Sequence, residues 1–292
     1  LLKKNYKVIG SDRRSSRDDK WRLRELNIHN KIIIEDFELT EITQISRILK
    51  KYKFDEIYNL AAQSFVGSSF DTPLITANVT GLGVLRMLEV IRNLNYKPKF
   101  YQASSSEMFG DVLETPQKIT TPFNPVSPYA ISKLFGHYIT INHRKAYNIF
   151  AVSGILFNHE SPLRGEEFIT RKISVGLAKI KFGKLKCLEL GNLEAKRDWG
   201  FAKDYVEAMW LSLQRKKPVD FVLATGKTYT VRQFINEALK YYGFKAYWTG
   251  KNDKEKLILK ESKKVIIKIN KKFYRPNEVN KLLGDPKMTR RY

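Results

Sequence analysis

Tyr129 and Lys133 stand four residues apart in the run Ser-Pro-Tyr-Ala-Ile-Ser-Lys, a spacing that sets both side chains on one face of a helix. An ammonium beside a phenol favours the phenolate. A phenolate can take the proton of a sugar hydroxyl while hydride leaves the same carbon for a nicotinamide. Many surface helices carry this spacing, so the pair alone is a weak signal. Ser127-Pro128 before it is a good helix start, and an expected strand precedes it, which adds weight. The second group is Tyr-Gln-Ala-Ser-Ser-Ser-Glu-Met-Phe-Gly at 101–110. A strand there ends in three hydroxyl residues and then Glu107. One reading is a serine-rich turn with a solvated glutamate. The other is Ser105 donating to a substrate oxygen beside a base, Glu107, with Met108 and Phe109 as an apolar wall. A third group, Arg13 and Arg14, follows an expected strand where a dinucleotide's ribose 2′-phosphate would lie. Asp12 opposes this, because a carboxylate at that strand end usually accepts from the 2′-hydroxyl of NAD and repels a phosphate.

These groups need strands and helices to hold them. Strands are expected at 6–11, 31–34, 55–60, 99–104 and 150–156. Between them lie helical patterns at 41–52, with Ile42, Ile45, Ile48 and Leu49 on one face, at 75–93 and at 129–147. Strands separated by helices of this length predict an α/β fold, a doubly wound parallel sheet with right-handed crossovers. Ligands of such sheets bind at the carboxyl ends of the strands, where all three groups fall. The opening residues read as the end of a helix running into a strand. The Gly-rich turn that usually begins this fold is not seen, and it would need roughly 20 residues before Leu1. The expectation is therefore a chain cut at its N-terminus, lacking the first strand, and cut at its C-terminus after a helix-like stretch at 278–283. The dinucleotide-binding domain is expected over 1–167. A smaller, mainly substrate-binding region is expected over 168–292, with strands returning to the first sheet.

Composition narrows the classes. The 292 residues are 42% hydrophobic, enough for a core and against a mainly disordered chain. One cysteine, Cys187, excludes an intramolecular disulfide and a cysteine-built zinc site, and no metal is expected. Apolar stretches such as 150–157 fall far short of the roughly 20 residues of a membrane helix, so no membrane partner is expected. The expected compartment is the cytoplasm. Lys and Arg number 53 against 30 Asp and Glu, a net charge of +23. Such a charge invites nucleic acid. No helix-turn-helix, zinc-finger or RNP pattern accompanies it, and the expectation is against that partner.

The stretches IYNLAAQS, FYQASSSEMFG, SPYAISK, GILFNHESP, TRKIS, LGNLEAKRDWGFAKDYVEAMW and FYRPNEV together resemble the GDP-mannose 4,6-dehydratase family of extended short-chain dehydrogenase/reductases. The resemblance runs over 1–285. Tyr-x-x-x-Lys identifies only the superfamily, whereas NHESP and the long tryptophan-containing block are specific. The resemblance implies a Rossmann fold, GDP-mannose as substrate and an internal redox dehydration on the route to deoxysugars such as that of GDP-fucose. Tyr129, held by Lys133, would deprotonate the hydroxyl on sugar carbon 4, with Ser105 beside it. Glu107 would take the proton on carbon 5 and protonate the departing hydroxyl on carbon 6. The family commonly has threonine where Ser105 stands.

Further positions follow from the same resemblance. Ser15, Ser16, Glu38 and Leu39 map to the adenine side of the cofactor, with Asp36 able to stand in for Glu38. Leu60, Ala61, Ala62, Gln63 and Ser64 would line the ribose and nicotinamide, with Ile75 nearby and His159 and Arg164 completing the set. Phe65 and Ile75 stand where the family has histidine and tyrosine. NADP is the expected cofactor, with NAD the alternative. Asn158, Lys172, Arg197, Arg275 and Glu278 are the substrate candidates, since arginines suit a diphosphate and a carboxylate suits a guanine edge. A homo-oligomer, dimer or tetramer, is implied by the basic loop at 13–22. The nearest rival is an epimerase or reductase for nucleotide sugars on the same scaffold, though an epimerase has no need of the hydroxyl-x-Glu pair. A non-catalytic basic binding protein is the rival from another class.

Overall fold

The computed structural model describes residues 1–16 and 18–291; Arg17, within the basic loop, and Tyr292 lie outside them. The chain forms two units that interleave along the sequence. The first takes Leu1–Ser105, Pro128–Ile155 and Asp204–Phe221, and the second takes Ser106–Ser127, Leu156–Lys203 and Val222–Tyr292.

In the first unit, β1 (Ile9–Asp12) leads through the short α1 (Trp21–Glu25) to β2 (Ile33–Asp36). The two strands pair in parallel as a two-stranded sheet, Ile9 opposite Ile33 and Asp12 opposite Asp36. The opening residues form a single 3-10 turn, Leu2–Lys4, rather than the end of a longer helix. Next come α2 (Ile42–Tyr52), β3 (Glu56–Asn59), α3 (Val66–Asp71) and α4 (Pro73–Thr76). The last of these continues through a π-helical stretch, Ala77–Leu82, into α5 (Gly83–Arg92). Then follow β4 (Lys99–Ser105), α6 (Pro128–Tyr147) and β5 (Ala151–Leu156). A later strand, β10 (Phe221–Leu223), follows α8 (Ala202–Leu213) and completes the central sheet, whose order is β10-β5-β4-β3. β3 and β4 run parallel in register Ile57 to Phe100.

Periodicity explains the packing. On α2, Ile45, Ile48 and Leu49 are buried as their spacing requires, while Ile42, the first residue of the helix, stays exposed. Ile45 and Leu49 meet Val84, Leu88 and Ile91 of α5 and Phe100 of β4 in one core. Residues Pro73–Arg92 form a helix long and apolar enough to cross a membrane by length and composition, although no unbroken apolar run in the sequence reaches that length. Here that helix is half buried, and its Val84, Met87, Leu88, Val90 and Ile91 pack into this core. Two glycines permit close approach: a Cβ on Gly136 of α6 would lie 3.0 Å from the Val84 side chain, and one on Gly154 of β5 would lie 2.0 Å from the Tyr101 hydroxyl.

In the second unit, β6 (Asn158–Glu160) pairs in parallel with β9 (Trp199–Phe201). The strand β8 (Lys196–Arg197) pairs antiparallel with β11 (Tyr229–Thr230). A four-stranded sheet is built from β7 (Leu188–Leu190), β12 (Ala246–Thr249), β13 (Lys256–Leu259) and β14 (Val265–Ile269), in the order β12-β13-β14-β7. The helices α7 (Ile169–Lys181) and α9 (Val231–Tyr242) share a core with it, through Leu177, Ile235, Leu188 and Ile267. A capping box fixes the start of α9: Thr230 accepts from the Gln233 amide, and the Gln233 side chain accepts from the Thr230 amide. A short α10 (Lys287–Arg291) ends the described chain.

One expected element is absent. Residues 278–283 are not a helix. Val279 and Leu282 are buried in a helix-like i, i+3 spacing, but the backbone is extended and bridges two distant segments. The Lys196 amide donates to Asn280, the Leu282 amide donates to Lys196, and the Gln117 amide donates to Leu283. Pairing with strand-like partners satisfies the backbone there, so the local helical pattern gives way.

Candidate functional site

In the first unit, β4 delivers Ser104 and Ser105 buried at its carboxyl end. The start of α6, at Pro128, delivers Tyr129, Lys133 and His137 as one buried stripe at i, i+4 and i+8. Two hydrogen bonds fasten this stripe to the strand. The Lys133 Nζ donates to the Ala103 carbonyl at 2.8 Å, and the Ser104 hydroxyl shares a hydrogen bond of 3.0 Å with Nδ1 of His137. The Lys133 ammonium lies 5.8 Å from the centroid of the Tyr129 ring. Burial lowers the Lys133 pKa to about 8. Burial likewise lowers His137 to about 4, so its imidazole is neutral at pH 7. The arrangement keeps a single cation beside the phenol in a dry setting, where its field acts with little screening.

At the end of β3, buried Asn59 donates to Gln102 at 2.8 Å and so ties the strand to β4. The following loop opens outward: Leu60, Ala61 and Ser64 are exposed, with Ala62 and Gln63 half-buried. The Gln63 amide donates to Thr80 at 3.0 Å, while its buried Oε1 has no hydrogen-bond partner among the described residues. An orphaned acceptor beside small residues fits a ligand that carries an amide or hydroxyl donor. Ile75 is exposed on α4, Leu39 is buried against α5, and the Glu38 amide donates to Gln44. At the end of β1, Arg13, Arg14, Ser15 and Ser16 are all exposed, and neither arginine has an ion pair among the described residues. That suits an anionic group. Arg13 to Ser16 thus follow β1, Glu38 and Leu39 follow β2, Leu60 to Ser64 follow β3 and Ser105 ends β4, while Ile75 lies on α4.

In the second unit, Glu107 is buried in the 3-10 turn Ser106–Phe109. A chain of charges runs from it. Its Oε2 lies 3.8 Å from Arg275, whose guanidinium is 3.5 Å from Glu278, and Glu278 in turn accepts from Arg197 at 2.9 Å. Three of the substrate candidates thus join the candidate base in one network. Lys172 sits 3.5 Å over the Phe273 ring, and burial, then Lys272, lowers its pKa. Asn158, opposite Trp199 in the β6–β9 pair, has a buried Oδ1 with no hydrogen-bond partner among the described residues. His159 and Arg164 are held locally: His159 Nδ1 contacts the Phe157 carbonyl at 2.8 Å, and Arg164 lies 3.4 Å from Glu160 and 3.6 Å over Phe168.

Sequence reasoning missed three features. His137 was legible, since it extends the Tyr129–Lys133 stripe by one more turn. Asp198, next to Arg197, is buried and accepts from the amides of Thr225 and Gly226, each at 2.9 Å, and from the Thr225 hydroxyl. It therefore anchors the segment that carries Arg197. A cavity of about 520 Å³ opens among Asn192, Glu194, Arg232, Lys251, Glu255 and Tyr274. Two of these belong to the long specific block, which was the one available signal. Arg232 is clamped there by both oxygens of Glu255, at 2.7 and 2.9 Å, and by Glu194 at 2.6 Å.

Comparison with known proteins bears on this arrangement. The family model described as GDP-mannose 4,6 dehydratase matches residues 1–292. The GDP-mannose 4,6 dehydratase of Homo sapiens is 50% identical over 293 residues, covering 98% of this chain and 79% of its own length. Among solved structures, the UDP-glucose 4-epimerase of Thermus thermophilus in complex with NAD superposes with a TM-score of 0.78 at 21% identity, over 100% of this chain and 86% of that one. RMD from Pseudomonas aeruginosa complexed with NADPH gives 0.75 at 19% identity, over 98% and 90%. At those identities the two structures speak for the fold.

Proposed function

The chain belongs to the GDP-mannose 4,6-dehydratase family, and we infer from this that it converts GDP-D-mannose to GDP-4-dehydro-6-deoxy-D-mannose by an internal redox step and loss of water. The observation that carries the chemical reading is the buried Lys133 ammonium beside the Tyr129 ring. A cation held there favours the phenolate, and a phenolate is the base that the carbon 4 hydroxyl needs.

A nicotinamide cofactor held here would supply a reversible hydride acceptor, so oxidation at carbon 4 and reduction at carbon 6 would leave none consumed. Arg13, Arg14, Ser15 and Ser16 would hold an NADP 2′-phosphate, and Glu38 and Leu39 its adenine side. Leu60, Ala61, Ala62, Gln63, Ser64, Ile75 and Lys133 would hold its ribose and nicotinamide, with His159 and Arg164 completing the set. The two arginines after β1, without an ion pair among the described residues, support NADP over NAD.

The chain's own groups supply the proton transfers. Ser105 donates to the oxygen on carbon 4, which holds that oxygen in place, and Tyr129 accepts its proton. Once carbon 4 is a ketone, the proton on carbon 5 is acidic, and Glu107 removes it. Glu107 then hands that proton to the hydroxyl leaving carbon 6, and water is lost. As carbon 6 is reduced, carbon 5 takes up a proton from solvent and Tyr129 releases the one it accepted, so the protons balance. Arg197, Arg275, Lys172 and Asn158 bind the diphosphate and sugar, and Glu278 accepts from the guanine edge.

An oligomer belongs to the same reading. Ile131, Phe135 and Tyr138 are exposed at helical spacing on α6, and Leu74 and Leu82 are exposed on the neighbouring helix, an apolar surface that favours self-association.

Mass spectrometry of the product tests the function. GDP-mannose incubated with the protein and NADP⁺ is expected to lose one water without accumulating NADPH. A product of unchanged mass would overturn the dehydratase in favour of an epimerase.

A further inference from the structure

The carboxylate of Asp12 stands at the end of β1, where a free acidic group accepts from a ribose 2′-hydroxyl and repels a 2′-phosphate. It is not free. Its Oδ1 accepts from the Arg13 amide at 2.9 Å, and its Oδ2 accepts from the Lys20 ammonium at 3.0 Å. Lys20 also contacts Asp19 at 3.0 Å. The lysine side chain is only 24% exposed, whereas Asp12 is 51% exposed, so the aspartate faces solvent with its charge answered from one side. Burial of Lys20 acts against its charged form, but the contacts with Asp12 and then Asp19 outweigh it and raise its pKa, so the cation persists at neutral pH. Arg13 and Arg14, the next two residues, have no ion pair among the described residues. Lys20 takes up the acid that would otherwise engage them, and leaves two guanidinium groups available to an anion.

We propose that Lys20 determines the cofactor preference of this chain: by neutralising Asp12 and occupying its outer oxygen, it turns a strand end built to accept a 2′-hydroxyl into one that admits a 2′-phosphate. This rests on the reading of Arg13 and Arg14 as the phosphate-binding pair. Loss of the lysine frees Asp12 to accept from the 2′-hydroxyl and to repel the phosphate, so one substitution weakens NADP⁺ and strengthens NAD⁺ together. A lysine that touched the phosphate directly would weaken NADP⁺ alone, with no dependence on Asp12.

The test is direct binding, measured by calorimetric titration of NADP⁺ and of NAD⁺ into the parent, Lys20→Met, Asp12→Asn and the double variant. The parent is expected to prefer NADP⁺. Lys20→Met should move the ratio of the two dissociation constants about tenfold or more toward NAD⁺, the scale of one uncompensated charge near the surface. The double variant, which has neither charge, should return to within about threefold of the parent ratio. A parent that prefers NADP⁺ with Lys20→Met unchanged overturns this inference alone. A double variant as impaired as Lys20→Met also overturns it, because the lysine would then act on the phosphate itself. A parent that binds NAD⁺ more tightly, or neither dinucleotide, overturns the NADP reading and this inference with it.

Discussion

The Lys133 ammonium lies 5.8 Å from the centroid of the Tyr129 ring, one helical turn away, and its hydrogen-bond partner is the Ala103 carbonyl at 2.8 Å. A charge in that position costs free energy of folding, because burial brings its pKa from 10.5 to about 8.

That cost has a pH signature. Between about pH 8 and 10.5 the unfolded chain holds a proton on this lysine that the folded chain has released, so stability rises with pH across that window. Below about pH 8 both states are protonated and the full penalty, on the order of 3 kcal/mol, is present. Chemical denaturation of the parent and of Lys133→Met from pH 7.5 to 10.5 separates this lysine from other titrating groups. The parent's stability should climb relative to the variant's, and parallel curves would show that the lysine is not buried.

Removing either of the proposed proton-transfer groups should stop the reaction at a different point. Glu107→Gln is expected to abolish water loss while cofactor binding persists, since its carboxylate is assigned only to the elimination. Tyr129→Phe should lower turnover by about 10²-fold or more, the usual scale for a general base. Product analysis by mass spectrometry with single-turnover absorbance at the NADPH band distinguishes them. Transient NADPH should form with Glu107→Gln and fail to form with Tyr129→Phe. Near-parent dehydration by either variant removes its residue from the mechanism.

Gly154 and Tyr101 should be energetically coupled. A Cβ at Gly154 would lie 2.0 Å from the Tyr101 hydroxyl, which is buried without a hydrogen-bond partner among the described residues. Gly154→Ala is expected to cost roughly 1–3 kcal/mol through overpacking. Tyr101→Phe removes an unpaired buried hydroxyl and should be neutral or stabilising. In the Tyr101→Phe background the alanine should cost less, and urea denaturation of the four proteins measures the difference. Strict additivity would mean that β5 shifts away from the tyrosine instead.

Local pattern was enough for much of this. The spacing of Ile45, Ile48 and Leu49 determined which face of α2 turns inward, and Tyr129-x-x-x-Lys133 determined that both side chains leave one face of α6. Helical and strand periods are properties of a short stretch, so they can be read from it. The blocks around Asn158 and Arg197 identified the family in the same way, as strings of residue types.

What the stretch itself does not contain is the identity of its neighbours. Residues 278–283 have a helical spacing and are extended, because the backbones of Lys196 and Gln117 offer pairing that only the folded chain brings near. Glu278 meets Arg197 across 81 positions of sequence, and Lys133 meets Ala103 across 30. Whether a lysine is a solvated surface charge or a desolvated cation beside a phenol depends on which distant segments exclude water from it. Desolvation and long-range pairing are sums over the whole molecule, and they decided which of these side chains are buried and what each one meets.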